Sequence, residues 1–255
     1  MCGISSYNFK NHIASDIGVH GQYLPSENFQ SQSHLDKIQQ WTEDQQMELN
    51  SAKTKFMVVN FTKYFQFNTR IKLEETPLEE VDECRLLGLT ITNQLSWHRN
   101  TEIIVQKANT RMIMLQKLYE FNLPTDEMLN IYILYIRSMV EYCCVVWHSS
   151  ITEEECTSIE RVQKTALKLI LREDYTDYTS ALHLTGLDRL KDRRTQLALS
   201  FAKKCLKNKT CGDLFPLNEK SVNTRLHEKY FVTPARTERL AQSTIPYLQR
   251  LLNDQ

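Results

Sequence analysis

At Trp97 the apolar residues of this chain change period, and that change constrains the fold more than any other feature. Downstream they recur every three or four positions. Ile104, Ala108, Met112, Leu115 and Leu118 form one stripe, and Ile159, Val162, Ala166, Leu169 and Ile170 form another. Such spacing keeps side chains on one face of an α-helix. Upstream the apolar runs are short, carry β-branched residues or partly alternate with polar ones, as strands do. The expected fold class is therefore α+β: a small strand and hairpin lobe to about residue 95, then a mainly α-helical bundle. Only six glycines and six prolines punctuate the 255 residues, too few for a β-sandwich or barrel with its many tight turns.

Four segments follow from this pattern. Residues 1–32, with Gly18, Gly21, Pro25 and many Ser, Asn and Gln, read as irregular. In 33–95, Ser33 caps a helix from about 34 to Leu49, with Leu35, Ile38, Trp41 and Leu49 roughly on one face. Strands are expected at Phe56 to Phe61, Tyr64 to Leu73 and Leu86 to Thr92, and the acidic stretch 74–83 around Pro77 is expected to be exposed. In 96–210 a helix starts near Trp97. Pro124 restarts the chain, with Thr125 as N-cap and Asp126 and Glu127 in the first turn of a helix running to about Trp147. Thr152 and Glu155 have capping-box spacing, and Gly186 suits a left-handed helix end before a helix from about 187 to 207. Segment 211–255 is a tail with loops around Pro216 and Pro234 and a short helix from Pro246 to Leu252.

Thirty-one basic residues balance thirty-one acidic ones, so net charge gives no hint of an anionic partner. Seven cysteines (Cys2, Cys84, Cys143, Cys144, Cys156, Cys205 and Cys211) lack framework or zinc-site spacing. Residues 1–20 have no continuous apolar core for a signal peptide, and reduced thiols in an intracellular protein, nuclear or cytoplasmic, are the simplest expectation. The most apolar stretch, Ile131 to Trp147, is interrupted by Arg137, Ser138 and Glu141, which argues for a buried helix and against a membrane partner. Vicinal Cys143 and Cys144 read as buried small apolar side chains.

One ordered set of tracts goes further. After a helix containing Trp41 come Asn50-Ser51-Ala52-Lys53-Thr54, an apolar strand, Leu86-Leu87-Gly88-Leu89-Thr90, and Leu95-Ser96-Trp97. Further on stand Ile159-Glu160-Arg161-Val162-Gln163-Lys164, Leu184-Thr185-Gly186-Leu187, Arg193-Arg194, and the tail Pro246-Tyr247-Leu248-Gln249-Arg250-Leu251-Leu252-Asn253. This order resembles the end of the palm, the thumb and the tail of a reverse transcriptase from a non-LTR (LINE-like, Jockey/CR1-type) retrotransposon. The resemblance covers nearly the whole chain. It implies that the C-terminus is native and that Met1 is an internal methionine.

In that family the Asn-x-x-Lys-Thr turn puts a lysine near the incoming nucleotide's phosphates, and Lys53 is the matching position. Read from the residues alone, Lys53 is a solvated lysine on a polar turn. The Leu-Leu-Gly tract of the family supports the primer end, and Gly88 would permit close approach of a sugar–phosphate chain; the plain reading is a buried strand containing one glycine. Between Arg161 and Lys209 stand twelve basic residues against five acidic ones. Arg161, Lys164, Lys168 and Arg172 share one helix face that can follow phosphates, or that is simply solvated opposite the apolar stripe. The resemblance adds Arg193 and Arg194 to the nucleic-acid-binding set. Two arginines can equally tie a helix to neighbouring acids, and Arg161 can pack against Glu153 to Glu155.

The family's two catalytic aspartates, in a Tyr/Phe-x-Asp-Asp tract, hold the divalent ions of phosphoryl transfer. No Asp-Asp dipeptide occurs in this chain, and Asp174 and Asp177 read as caps in an interhelical turn. The expectation is a transposable-element polymerase part without catalytic residues, metal or cofactor of its own, Mg2+ belonging to the complete parent enzyme. Its partners would be RNA, DNA or an RNA–DNA hybrid, held without sequence preference. The alternative is a helical protein-interaction module, or a remnant with no nucleic-acid activity.

Overall fold

The computed structural model describes residues 2–5, 7–8, 14–15, 19–21, 31–60, 71–218 and 229–255. The chain is α+β and divides into two compact units, Met1–Asn100 and Thr101–Gln255.

The first unit carries the strands β1 (Cys2–Ser5), β2 (Tyr7–Asn8), β3 (Ala14–Ser15), β4 (Val19–Gly21), β5 (Lys55–Val58), β6 (Lys72–Leu73), β7 (Thr76–Pro77), β8 (Glu79–Glu80), β9 (Glu83–Leu86) and β10 (Leu89–Thr92), with helix α1 (Ser31–Asp44) between β4 and β5. Four strands make one sheet in the order β4-β1-β5-β8, antiparallel except for the β5–β8 pair. Leu35 of α1 packs with Phe56, Ile71, Leu73 and Leu78 in a buried apolar cluster that Leu49 and Val58 border. Lys55 and Glu79 form an exposed ion pair at 2.7 Å.

Several expectations change here. Residues 1–32 are not simply irregular: those described before Ser31 form four short strands, β1 pairing with β4 and β5, and β2 with β3. Helix α1 stops at Asp44, not Leu49. Gln46 turns left-handed at φ 56°, while the N–H groups of Met47 and Gln46 donate to Thr42 O and Glu43 O. This is a Schellman closure built on a residue other than glycine. Trp41, expected on the buried face, is 51% exposed. The strand expected at Phe56 to Phe61 is Lys55–Val58, and most of the one expected at Tyr64 to Leu73 lies outside the described residues. The acidic stretch 74–83 is not all exposed, since Leu78 is buried. The single strand expected at Leu86 to Thr92 is instead the turn and second arm of the β9–β10 hairpin.

The second unit is helical: α2 (His98–Glu120, its first turn counted with the first unit), α3 (Thr125–Ile131), a π-helical segment Tyr132–Arg137, α4 (Ser138–Val140), α5 (Cys144–Trp147), α6 (Glu153–Leu171), α7 (Tyr178–Thr185), α8 (Leu190–Cys205), α9 (Lys209–Gly212), α10 (Glu238–Ala241) and α11 (Thr244–Asn253). Of the expected stripe of α2, Ile104, Ala108, Met112 and Leu115 are buried and Leu118 is half-buried. Thr125 is the first helical residue and not the N-cap, since Pro124 takes that place and its carbonyl accepts the N–H of Met128. The long helix expected to Trp147 is broken. Cys143 turns left-handed at φ 48°, and the Trp147 indole N–H donates to Tyr142 O at 3.0 Å. Cys144 is buried as expected, whereas Cys143 is exposed. In the tail, Leu248 and Leu252 of α11 pack on Ala198, Ala202 and Phe215, and Gln249 and Asn253 hold Thr233 N, Leu214 O and both backbone groups of Tyr230.

Candidate nucleic-acid interface

The sequence-identified residues fall in both units. In the first, Asn50 organises the turn that carries Lys53. The Lys53 N–H donates to both oxygens of Asn50 at 3.1 Å, and Thr54 donates its N–H and hydroxyl to Asn50 O at 2.9 and 2.8 Å. Thr54 is buried and Lys53 is exposed. Gly88 sits not in a strand but in the two-residue turn of the β9–β10 hairpin, with Leu87 at φ 46° and Gly88 at φ 86°. Positive φ at both central residues is the geometry that matches strand twist in tight hairpins, and it needs glycine for a conformational reason.

Helix α6 carries the basic stripe. Its start is a complete capping box: Glu155 N–H donates to Thr152 Oγ1 at 3.2 Å, and Thr152 N–H to Glu155 Oε2 at 2.6 Å. Ile159, Val162, Ala166, Leu167 and Ile170 are buried, so the opposite face is left to solvent. Arg161, Lys164 and Lys168 stand on that face, all exposed. The Lys164 ammonium lies 5.0 Å from the centroid of the Tyr178 ring. Arg172, at the end of α6, is held by the end of α2 through hydrogen bonds to Asn122 Oδ1 and Tyr119 O at 3.3 and 3.4 Å.

Glu160 and Gln163, interleaved with these cations, have a different task that the motif reading missed. Glu160 accepts the N–H groups of Leu190 and Lys191 at 3.1 and 3.3 Å, capping α8, and also accepts the Tyr178 hydroxyl proton. Gln163 is fully buried. Its Oε1 accepts from Tyr132 OH at 2.7 Å, and its Nε2 donates to Tyr178 OH and Asp188 O, both at 2.9 Å. Every proton in this chain of bonds has one acceptor, so a polar cluster is buried without an unmade bond. Burial pushes both phenols above their ordinary range, and Glu160 adds to the effect at Tyr178. The available signal was the spacing of Ile159, Gln163, Ala166 and Ile170, which puts a polar residue on the apolar face.

Arg193 and Arg194 do not join the stripe. The Arg193 Nε binds Glu141 at 2.5 Å, and Glu141 also faces Arg137 at 3.6 Å. Arg194 is 0% exposed and so cannot reach a phosphate. Its Nε donates to His148 Nδ1 at 3.2 Å, its Nη2 to Cys156 Sγ at 3.3 Å, and its guanidinium carbon lies 5.7 Å from the Trp147 ring centroid. Accepting at Nδ1 leaves the His148 proton on Nε2, facing Thr195 Oγ1 at 3.2 Å. Burial, then the charges of Arg194 and Lys191, lower the His148 pKa to about 4.

Asp177 accepts from Thr179 and Ser180 N–H and caps α7, the role expected of it; the Ser180 hydroxyl bond is the first cause of its lowered pKa. Among the described residues no group of three His, Cys, Asp or Glu could hold a metal ion. No Asp-Asp dipeptide occurs in the sequence. No single helix among the described residues is long and apolar enough to cross a membrane. Comparison with protein-family models, with curated proteins and with solved structures returned no match.

Proposed function

We propose that this chain is a part of a non-LTR RNA-directed DNA polymerase that lacks the catalytic aspartates, and that its helical unit holds nucleic acid without reading its sequence. The observation that carries the binding reading is the exposed row Arg161, Lys164 and Lys168 on α6, whose other face is buried. At about 1.5 Å of rise per residue the row extends about 10 Å, enough to follow consecutive phosphates. The ordered tracts from Asn50 to Asn253 support the polymerase origin. Titration of two unrelated RNA–DNA hybrids by fluorescence anisotropy tests the reading. Equal affinities, both lost in the R161E/K164E/K168E variant, are expected; unaltered affinity in that variant would refute it.

A second reading, a module that docks a protein, is favoured by one observation: Leu134 and Tyr135, adjacent on the π-helical segment, are 72% and 55% exposed. Such docking would survive the charge reversal and high salt.

A further inference from the structure

The C-terminal end of the α6 stripe meets an exposed aromatic pair at the end of α2. There the N–H of Leu123 donates to Leu118 O at 3.5 Å and that of Asn122 to Tyr119 O at 3.0 Å, with Asn122 left-handed at φ 53°. This Schellman closure fixes the last turn of α2 and leaves Phe121 77% exposed, the highest exposure of any large apolar side chain among the described residues. Tyr119, two residues earlier, is 38% exposed.

Arg172 ties this end to the stripe. It hydrogen-bonds Asn122 Oδ1 and Tyr119 O, and its guanidinium carbon lies 4.5 Å from the Tyr119 ring centroid. Arg172 thus lies on the Tyr119 ring and on Asn122, the residue that follows Phe121, and exposed Lys168 precedes Arg172 by one helical turn. Covering an exposed phenyl ring with apolar surface is favourable, and the flat face of a base is one such surface. The flanking cations, continuous with Lys164 and Arg161, call for negative charge on the same partner. An unpaired nucleotide satisfies both demands, since every base has a π face and every residue of the strand has a phosphate.

We propose that Phe121, with Tyr119 and Arg172 beside it, is a stacking platform for an unpaired base, so that a strand lying along Arg161, Lys164 and Lys168 continues as single strand over the end of α2. The proposal rests on the nucleic-acid reading given above and adds to it a base-stacking contact at the end of α2.

Three hybrids with the same duplex test it on the full chain: one blunt, one with a short overhang, and one with the same overhang made abasic. Overhangs on either strand and of either polarity are tried. The overhang is expected to bind at least about 5-fold tighter than the blunt or abasic form, the lower end of base–aromatic stacking. Phe121→Ala should bring the ratio of overhang to blunt affinity to about one, while Phe121→Trp keeps it. A 2-aminopurine base in the overhang should be quenched by the wild type and not by Phe121→Ala. Equal affinity for all three hybrids, a preference that persists for the abasic overhang, or one that survives Phe121→Ala overturns the platform while leaving duplex binding intact. Absence of binding to every hybrid overturns the nucleic-acid reading itself. Protection of this patch by a peptide but not by any hybrid would assign it to a protein partner.

Discussion

The carboxylate of Glu160 accepts the backbone N–H of Leu190 at 3.1 Å, so a side chain on α6 closes the first turn of a helix that starts thirty residues later. Arg189, the residue in the N-cap position of α8, makes no capping bond of its own. Glu160→Ala therefore removes a helix cap, and it also strips the acceptor from Tyr178. A loss of about 2 kcal/mol is expected, within the range for a lost cap plus a partly buried donor left unpaired. Glu160→Gln, which keeps one acceptor oxygen, should lose less. Urea unfolding of the two variants measures this.

Gln163 shares Tyr178 with Glu160, so the two should not act independently. In a double-mutant cycle with Glu160→Ala and Gln163→Ala, a coupling of roughly 0.5–3 kcal/mol is expected. Additivity within error would mean that the buried cluster is two separate pairs.

His148 gives the protein an acid-sensitive contribution to stability. Its folded pKa, about 4, lies below the ordinary value of 6.5. Between those values the unfolded chain binds the extra proton, so stability rises with pH across the window. The contribution is complete above about pH 6.5, is lost progressively as pH falls toward 4, and amounts to roughly 3 kcal/mol. Unfolding of wild type and His148→Gln at pH 4 to 7 should show the difference in slope confined to this window.

Leu87 adopts φ 46° in the β9–β10 turn although its side chain is 65% exposed and far better suited to a strand. Asparagine before Gly88 is the favoured pair for such a turn, so Leu87→Asn should stabilise the first unit by about 1 kcal/mol. Gly88→Ala should destabilise it by a similar amount, because φ 86° is costly for a residue with a Cβ. Thermal melts of the two variants should move in opposite directions.

What could be read from the sequence was local. The capping box at Thr152 and Glu155 was legible because both partners lie within one turn, and so was the stripe through Ala108, Met112 and Leu115. The left-handed end at Gly186 was legible because glycine announces it. The same closure at Gln46 and Asn122 was missed, since its cause is the meeting of backbone groups and not the side chain. Glu160 capping α8 and Gln163 joining Tyr132 to Asp188 depend on residues brought together from 25 to 31 positions away. Arg194 was placed with the surface cations through the resemblance. Its spacing with Leu190, Ala198 and Ala202, four residues apart on the buried face of α8, already contradicted that placement. On the exposed side, Arg161, Lys164 and Lys168 stand on a shared face because the period that buries one side of α6 fixes the other.

The most direct test of the account is the salt dependence of hybrid binding. Affinity for an RNA–DNA hybrid is measured by anisotropy from 50 to 200 mM salt for the wild type and for R161E/K164E/K168E. Three phosphate contacts predict a log–log slope of roughly −3 in the wild type and loss of measurable binding in the variant. Failure to bind at the lowest salt, or a slope that the charge reversal leaves unchanged, would contradict the assignment of α6 as the binding face.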